Sequence, residues 1–166
     1  MPTPRTTAGF VHLHTHSEFS PIDSLAKVKD LVKYAAADGN PAVAITDHGT
    51  LGGIWKLGQA ATASNIKAIP GLEAYLAIGS RFEKNTLDVE DDDADPDPDG
   101  GKGTKSKKYE HLTLLAISPA GWRNLVIMTN EAQSPESYWY NPRIDYDLLA
   151  EHSEGIVVLT GCLGGP

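Results

Sequence analysis

Cysteine is nearly absent: Cys162 is the only one in 166 residues. A single thiol excludes an intrachain disulfide and points to a reducing compartment. Long apolar runs are missing too. No stretch reaches the ~18–20 uninterrupted apolar residues of a membrane span. The start, Met1-Pro2-Thr3-Pro4-Arg5, lacks the apolar core of a signal peptide. A cytoplasmic chain with no membrane partner is therefore expected. Two catalytic signatures are also lacking, since no serine stands in a nucleophile elbow and no glycine loop has P-loop form. Basic residues are in deficit, 14 against 22 acids, for a net charge of -8. No basic stripe marks a DNA groove. The deficit is uneven. Eight acids lie between Asp88 and Asp99 with no base among them, and Lys102, Lys105, Lys107 and Lys108 follow. Half of the net charge thus belongs to residues 88–108, and the body is only mildly acidic. If DNA is the substrate, most of the charge that holds its backbone lies elsewhere.

What is present alternates between two periods. Phe10 to His14 reads as a short strand. Ser24 is placed to cap a helix whose apolar positions, from Leu25 through Val28, Leu31, Val32 and Ala35, keep helical spacing, with Gly39 and Pro41 ending it. Pro41 to Thr46 is a continuous apolar run, as in a strand buried on both faces. Leu51 to Ser64 reads as a helix weakened by glycines. Ile66 to Pro70 and Leu72 to Ile78 read as two strands split by Gly71, and His111 to Ile117 as another. Pro119 to Ala132 and Asp145 to Glu151 read as helices, and Gly155 to Thr160 as a last buried strand. Alternating strands and helices imply an α/β fold with a largely parallel sheet. A closed α/β barrel typically needs ~200–250 residues, so the chain is expected to be the front part of one. Residues 1–9 form an N-terminal arm and 10–166 the domain. Residues 84–108, with Asp95-Pro96-Asp97-Pro98-Asp99-Gly100-Gly101 at their centre, are expected to be a disordered acidic insertion. Its acids lack the spacing of a calcium loop.

The residues suited to chemistry gather at strand ends. Of six histidines, three fall within His12-Leu13-His14-Thr15-His16. In an extended segment, positions i, i+2 and i+4 share one face, and three imidazoles there need polar partners or a metal. Asp23 follows. His48, in Thr46-Asp47-His48-Gly49, comes directly after the apolar strand, where α/β folds place their sites. Glu73 is an acid inside an otherwise apolar strand and wants a cation or strong hydrogen bonds. His111 opens another strand, and Cys162 ends the last. His14, His16, Asp23, His48, Glu73, His111 and Cys162 are candidate ligands for Zn(II), Mn(II) or Fe(II). They exceed the needs of one catalytic zinc, so two or three divalent metals are the better reading. His12 and Asp47 are candidates for orienting the ligands from behind. His152 reads as simply exposed. The aromatic run Tyr138-Trp139-Tyr140-Asn141-Pro142-Arg143 could stack bases. Packing of a loop over the barrel is the favoured reading, because Arg143 is the only base nearby.

Together these motifs resemble a known family. Phe10-Val11-His12-Leu13-His14-Thr15-His16-Ser17-Glu18-Phe19-Ser20, Ala44-Ile45-Thr46-Asp47-His48-Gly49, Pro70-Gly71-Leu72-Glu73-Ala74-Tyr75, His111-Leu112-Thr113-Leu114-Leu115-Ala116 and Gly161-Cys162-Leu163-Gly164-Gly165 are similar to the PHP (polymerase and histidinol phosphatase) domain of the bacterial DNA polymerase III alpha-subunit family. The resemblance implies a distorted (β/α)7 barrel, truncated here before its last strands. It also implies a trinuclear metal centre at the strand ends, on the seven positions already named. Two further ligands would lie in an Asp-x-His motif downstream of this chain. Members with all nine ligands are proofreading 3′–5′ exonucleases, and members with degraded ligands keep the domain as a non-catalytic scaffold. The implied partners are the 3′ end of a DNA strand, the rest of a polymerase chain, and replisome subunits such as a sliding clamp or a proofreading subunit. A free phosphoesterase of the histidinol-phosphatase type is the rival enzyme reading. The 166-residue piece alone is expected to be inactive. Pro21 before Ile22-Asp23 and the long insertion depart from the family pattern, and neither removes a ligand.

Overall fold

The computed structural model describes residues 9–91, 103–160 and 165–166. Residues 1–8 of the expected arm, the centre of the acidic insertion and Cys162 lie outside them. Helix α1, Val28–Ala37, buries Val28, Val32 and Ala35. It begins three residues later than the Ser24 signal suggests. Ser24 Oγ instead accepts from the Ala26 amide at 3.1 Å in the turn before the helix, and Leu25 stays exposed. Gly39, at φ 81, turns the chain into β1, Ala42–Ile45, whose four residues are all buried. Helix α2, Ile54–Ser64, lays Leu57 and Ala61 on the same core. Asn65, at φ 55, closes it.

The next strand is one element rather than two. Strand β2 runs from Lys67 to Ala77 without a break. Gly71 does not interrupt it; the strand squeezes past its neighbours there. A Cβ on Gly71 would come within 2.7 Å of Thr46 Cγ2 and 2.8 Å of Leu115 Cδ2. The first part of β2 pairs parallel with β1, from Ala42↔Lys67 to Ile45↔Pro70. Its second part pairs antiparallel with β5, Tyr109–Ala116, and parallel with the two-residue β6, Arg143–Ile144. Strand β7, Ile156–Leu159, pairs antiparallel with β5. The sheet order is β1-β2-β5-β7, with β6 beside β2. The sheet is therefore mixed, not largely parallel. The β2–β5 connection holds no helix among its described residues, and an antiparallel pair needs no crossover. Strand β7 is an edge with Val157 and Val158 partly exposed, not the buried strand its four apolar residues suggest. Phe10 to His14 makes only a single bridge, His12 to Val43, rather than a strand.

Residues 84–108 also differ from expectation at their flanks. Leu87–Asp91 and Gly103–Lys107 form an antiparallel pair, β3 and β4, in a small sheet of their own. Helix α3, Pro119–Ala132, matches its sequence signal. The Ser118 hydroxyl accepts from the Gly121 amide, and proline stands in the first turn. Helix α4, Tyr146–Glu151, is capped by Asp145. One apolar core lies between β2, β5, α3 and α4, and a second between α1, α2 and β1. Glu73 sits in β2, the strand common to both layers. No helix among the described residues is long and apolar enough to cross a membrane.

Candidate metal centre

Six of the seven predicted ligands meet at one point. Glu73 is 1% exposed. Its Oε2 lies 2.6 Å from His14 Nε2 and 2.5 Å from His16 Nε2. Its Oε1 lies 2.6 Å from His111 Nδ1 and 3.9 Å from His48 Nδ1. Asp23 closes the other side: its Oδ2 pairs with His48 Nε2 and lies 3.4 Å from His16 Nδ1. The donors form three overlapping groups: His14, His16 and Glu73; His16, Asp23 and His48; and His48, Glu73 and His111. Within each, the ligand atoms lie within 4.8 Å of one another.

Local sequence explains the convergence. Tyr75 pairs with His111 across β2 and β5, so Glu73, two residues earlier on the same face, points to the same side. A bridge between His48 and Glu73 continues β1 toward that point. The segment holding His14 and His16 is pinned by backbone bonds from Ala44 to His12 and from Thr46 to Thr15.

Asp47 ties the neighbouring loop to the site. It is buried and accepts from the Ser17 amide at 2.6 Å, the Ser17 hydroxyl at 2.7 Å and the Ser20 hydroxyl at 3.0 Å. The Ser20 hydroxyl in turn accepts from the His48 amide at 2.9 Å. Asp47 thus fastens the loop between His16 and Asp23 to the backbone of His48. Ser17 and Ser20 went unnoticed in sequence, where serines two or three residues from a histidine carry no pattern. His12 is exposed and lies against Phe10 at 4.8 Å between centroids. It bridges to Val43 through the backbone. Cys162 lies outside the described residues. Tyr75 was missed as well. Its ring stacks on His48 at 5.7 Å and meets His111 and Tyr109 edge-on.

The electrostatics fit a cation. Burial alone would raise the Glu73 carboxyl, but hydrogen bonds with His111, His16 and His14 outweigh it and hold Glu73 below the usual carboxylate range. The Glu73 hydrogen bond raises His16, whereas burial lowers His48. Burial and neighbouring negative charge push the Tyr75 phenol up to about 12, so it stays protonated. His48 Nδ1 is buried without a hydrogen-bond partner, and His14 Nε2 faces His16 Nε2 at 3.3 Å. Lone pairs turned on one another around two carboxylates are the donor set that divalent ions satisfy. Chemistry marks this site rather than size. A concavity of about 670 Å³ beside Leu51, Trp55 and Trp122 has none of these residues in its wall.

Residues 12–166 match the PHP domain family. DNA polymerase III subunit alpha of Aquifex aeolicus is 42% identical over 156 residues, 94% of this chain and 12% of that protein. DNA polymerase III subunit alpha of Mycobacterium tuberculosis is 39% identical over 160 residues, 95% of this chain and 13% of that protein. The chain therefore spans about an eighth of the length of these relatives. Among solved structures, an amidohydrolase from Chromobacterium violaceum aligns with 74% of this chain and 32% of its own, at 22% identity and a TM-score of 0.47.

Proposed function

The chain belongs to the PHP family, and we propose that it is the N-terminal PHP segment of a replicative DNA polymerase alpha subunit, with a centre of two or three divalent metals for phosphodiester hydrolysis. In the whole protein the reaction is 3′–5′ removal of nucleotides from a DNA end, and the closed (β/α)7 barrel completes around the sheet described above. The observation that carries this reading is the Glu73 carboxylate, buried and shared among His14, His16 and His111, with Asp23 joining His16 to His48. A carboxylate whose Oε2 faces His14 and His16 and whose Oε1 faces His111 would serve with those imidazoles to hold divalent cations.

When bound, divalent ions supply Lewis acidity, activating water and neutralising phosphate charge. The chain's own residues do the rest. Glu73 and Asp23 set the spacing of the imidazoles. Asp47, through Ser17 and Ser20, keeps the loop carrying His16 and Asp23 from drifting, which matters because a small misplacement costs large factors in rate. Tyr75 walls the site behind His48 and His111 with a neutral phenol, so it adds no competing charge. Cys162 and the downstream Asp-x-His complete the ligand set in this reading. Zn(II) or Mn(II) suits the mainly nitrogen and oxygen donors.

The test uses the full-length protein. Elemental analysis after metal-supplemented purification should give two to three transition metals per chain. His14→Ala with His48→Ala should lose most of them, together with 3′–5′ degradation of single-stranded DNA. Fewer than one metal per wild-type chain would remove the basis of the reading. Full metal content without hydrolysis would leave the domain a scaffold.

A further inference from the structure

The segment from Tyr138 to Arg143 is anchored on one side and open on the other. Arg143, 1% exposed, donates to the carbonyls of Ser137 at 3.1 Å, Glu83 at 2.9 Å and Arg81 at 2.7 Å. Pro142 packs on Gly49, the neighbour of His48. A Cβ added to Gly49 would come within 2.7 Å of Pro142 Cγ. From this fixed base Tyr138 and Tyr140 stand 47% and 65% exposed. The Trp139 amide donates to the Asn141 carbonyl at 3.1 Å across Tyr140, which holds φ at 61. That left-handed conformation is uncommon and strained for a bulky residue. The chain uses tyrosine, not glycine, at a strained tip where the ring contributes little to the core.

The ring meets Trp139 edge-on at 5.4 Å, and its remaining neighbours lead toward the cluster. Lys108 Nζ lies 4.4 Å from the Tyr140 ring centroid. The next residue, Tyr109, stacks on His111 at 5.7 Å with an interplanar angle of 13°. The sequence favours plain loop packing because Arg143 is the only nearby base. The structure withdraws Arg143 into the interior and brings Lys108, the residue just before β5, in its place. An exposed aromatic face beside a cation, contiguous with a phosphodiester site, matches an unpaired nucleotide: a base to stack and a phosphate to pair.

We propose that Tyr140, with Tyr138 and Lys108 beside it, is the platform on which the terminal base of an unpaired nucleic-acid strand stacks while its phosphodiester lies at the Glu73 cluster. The proposal rests on the hydrolytic reading above and adds to it the surface that receives the strand's terminal base. Tyr140 is a positioning residue for that strand.

The experiment uses full-length protein and an oligonucleotide with 5-iodouracil at its 3′ terminus, irradiated in EDTA so that no hydrolysis intervenes. Peptide mapping should place the adduct within residues 138–143. In the steady state with metal, Tyr140→Ala should raise KM for single-stranded DNA about 5- to 100-fold, the range of one lost stacking contact, with a smaller change in kcat. Tyr140→Phe should restore it, and Tyr34→Ala, on the exposed side of α1, should match wild type. Tyr140→Gly should raise the thermal midpoint by relieving the backbone while weakening KM as alanine does. A purely structural tyrosine would not show that opposition. Adducts found only outside residues 138–143, or an unchanged KM in Tyr140→Ala, would overturn the proposal. A specific adduct in a protein that hydrolyses nothing would uphold the platform while the hydrolytic reading fell.

Discussion

Two buried polar constellations adjoin β2, one around Glu73 within the strand and one around Arg143 in the paired β6, and they are built on opposite principles. Around Arg81, Arg143 and Asp145, donors meet acceptors. Asp145 accepts from the Arg81 amide at 2.9 Å, the Arg81 guanidinium at 2.8 Å and the Leu148 amide at 3.0 Å, and Arg143 takes three carbonyls. Only Arg81 Nε is left without a partner in that group. Around Glu73 the opposite holds. Four imidazoles crowd two carboxylates, and a buried ring nitrogen of His48 has no partner. The first network holds the fold closed by itself. The second gathers donors that a cation would satisfy. Buried charge alone is therefore no guide to function. What separates the two is whether the lone pairs and protons balance within the chain.

Substitution should break the two in different currencies. The largest effect is expected from Glu73→Gln in the full-length protein: loss of more than half of the bound metal and at least about a 100-fold drop in hydrolysis, beyond the 10- to 100-fold typical of outer-shell changes. Its metal-free thermal midpoint should move less than that of any Arg143 variant. Elemental analysis and calorimetry on the same preparation check both halves. A Glu73→Gln protein that keeps its metals would erase the contrast.

Arg143→Met should do the reverse. Three buried or partly buried carbonyls lose their donor, which costs about 3 kcal/mol and lowers the midpoint by roughly 6–12 °C for a chain of this size. Metal content in the folded fraction should hold. Denaturant titration reads the first and elemental analysis the second.

Asp145→Asn is the milder probe of the same network, at about 1–2 kcal/mol near neutral pH, and it carries a pH signature. Burial would raise the Asp145 carboxyl, but its bonds to the Arg81 and Leu148 amides and to the Arg81 guanidinium outweigh this and hold it low. Because the folded value is depressed, the stabilisation is present above the unfolded value of ~3.9. It fades as pH falls through the lower folded value. The stability gap between wild type and Asp145→Asn should therefore narrow on acidification below about pH 4. A gap that widened there would reverse the assigned sign.

The smallest effect should come from a region in neither network. Removing residues 86–106 takes away β3 and most of β4, which pair only with each other. Leu87 pairs with Lys107, so the cut ends already lie side by side. The thermal midpoint should shift by no more than about 2 °C, as for a surface loop. A drop of several degrees would mean the hairpin packs on the body.

How much of this was legible depends on the range of the signal. Helix α3 could be read to the residue because Ser118 and Pro119 mark its start locally. The ligands could be read because the His-x-His spacing and an acid in an apolar strand are local anomalies. The antiparallel pairing of β2 with β5 was not legible, since register between strands forty residues apart leaves no trace in either one's periodicity. The burial of Arg143 was not legible, because nothing in its neighbours tells that three carbonyls from residues 81, 83 and 137 will surround it. Gly71 looked like a break for the same reason: its partners, Thr46 and Leu115, are distant in sequence.

The single strand that serves both layers also sets the order in which the centre can appear. Glu73 is 59 residues from His14 and 38 from His111 along the chain. Helix α1, β1 and α2 can condense from nearby contacts, but the Glu73 cradle must wait for β2 to meet β5, and pairings of such separation form late. During synthesis, His14 and His16 leave the ribosome well before the carboxylate that holds them and before His111. An early ion would find two imidazoles and little else. In the proposed centre, metal loading would therefore mark finished long-range pairing, because the donors meet only once β2 and β5 have joined.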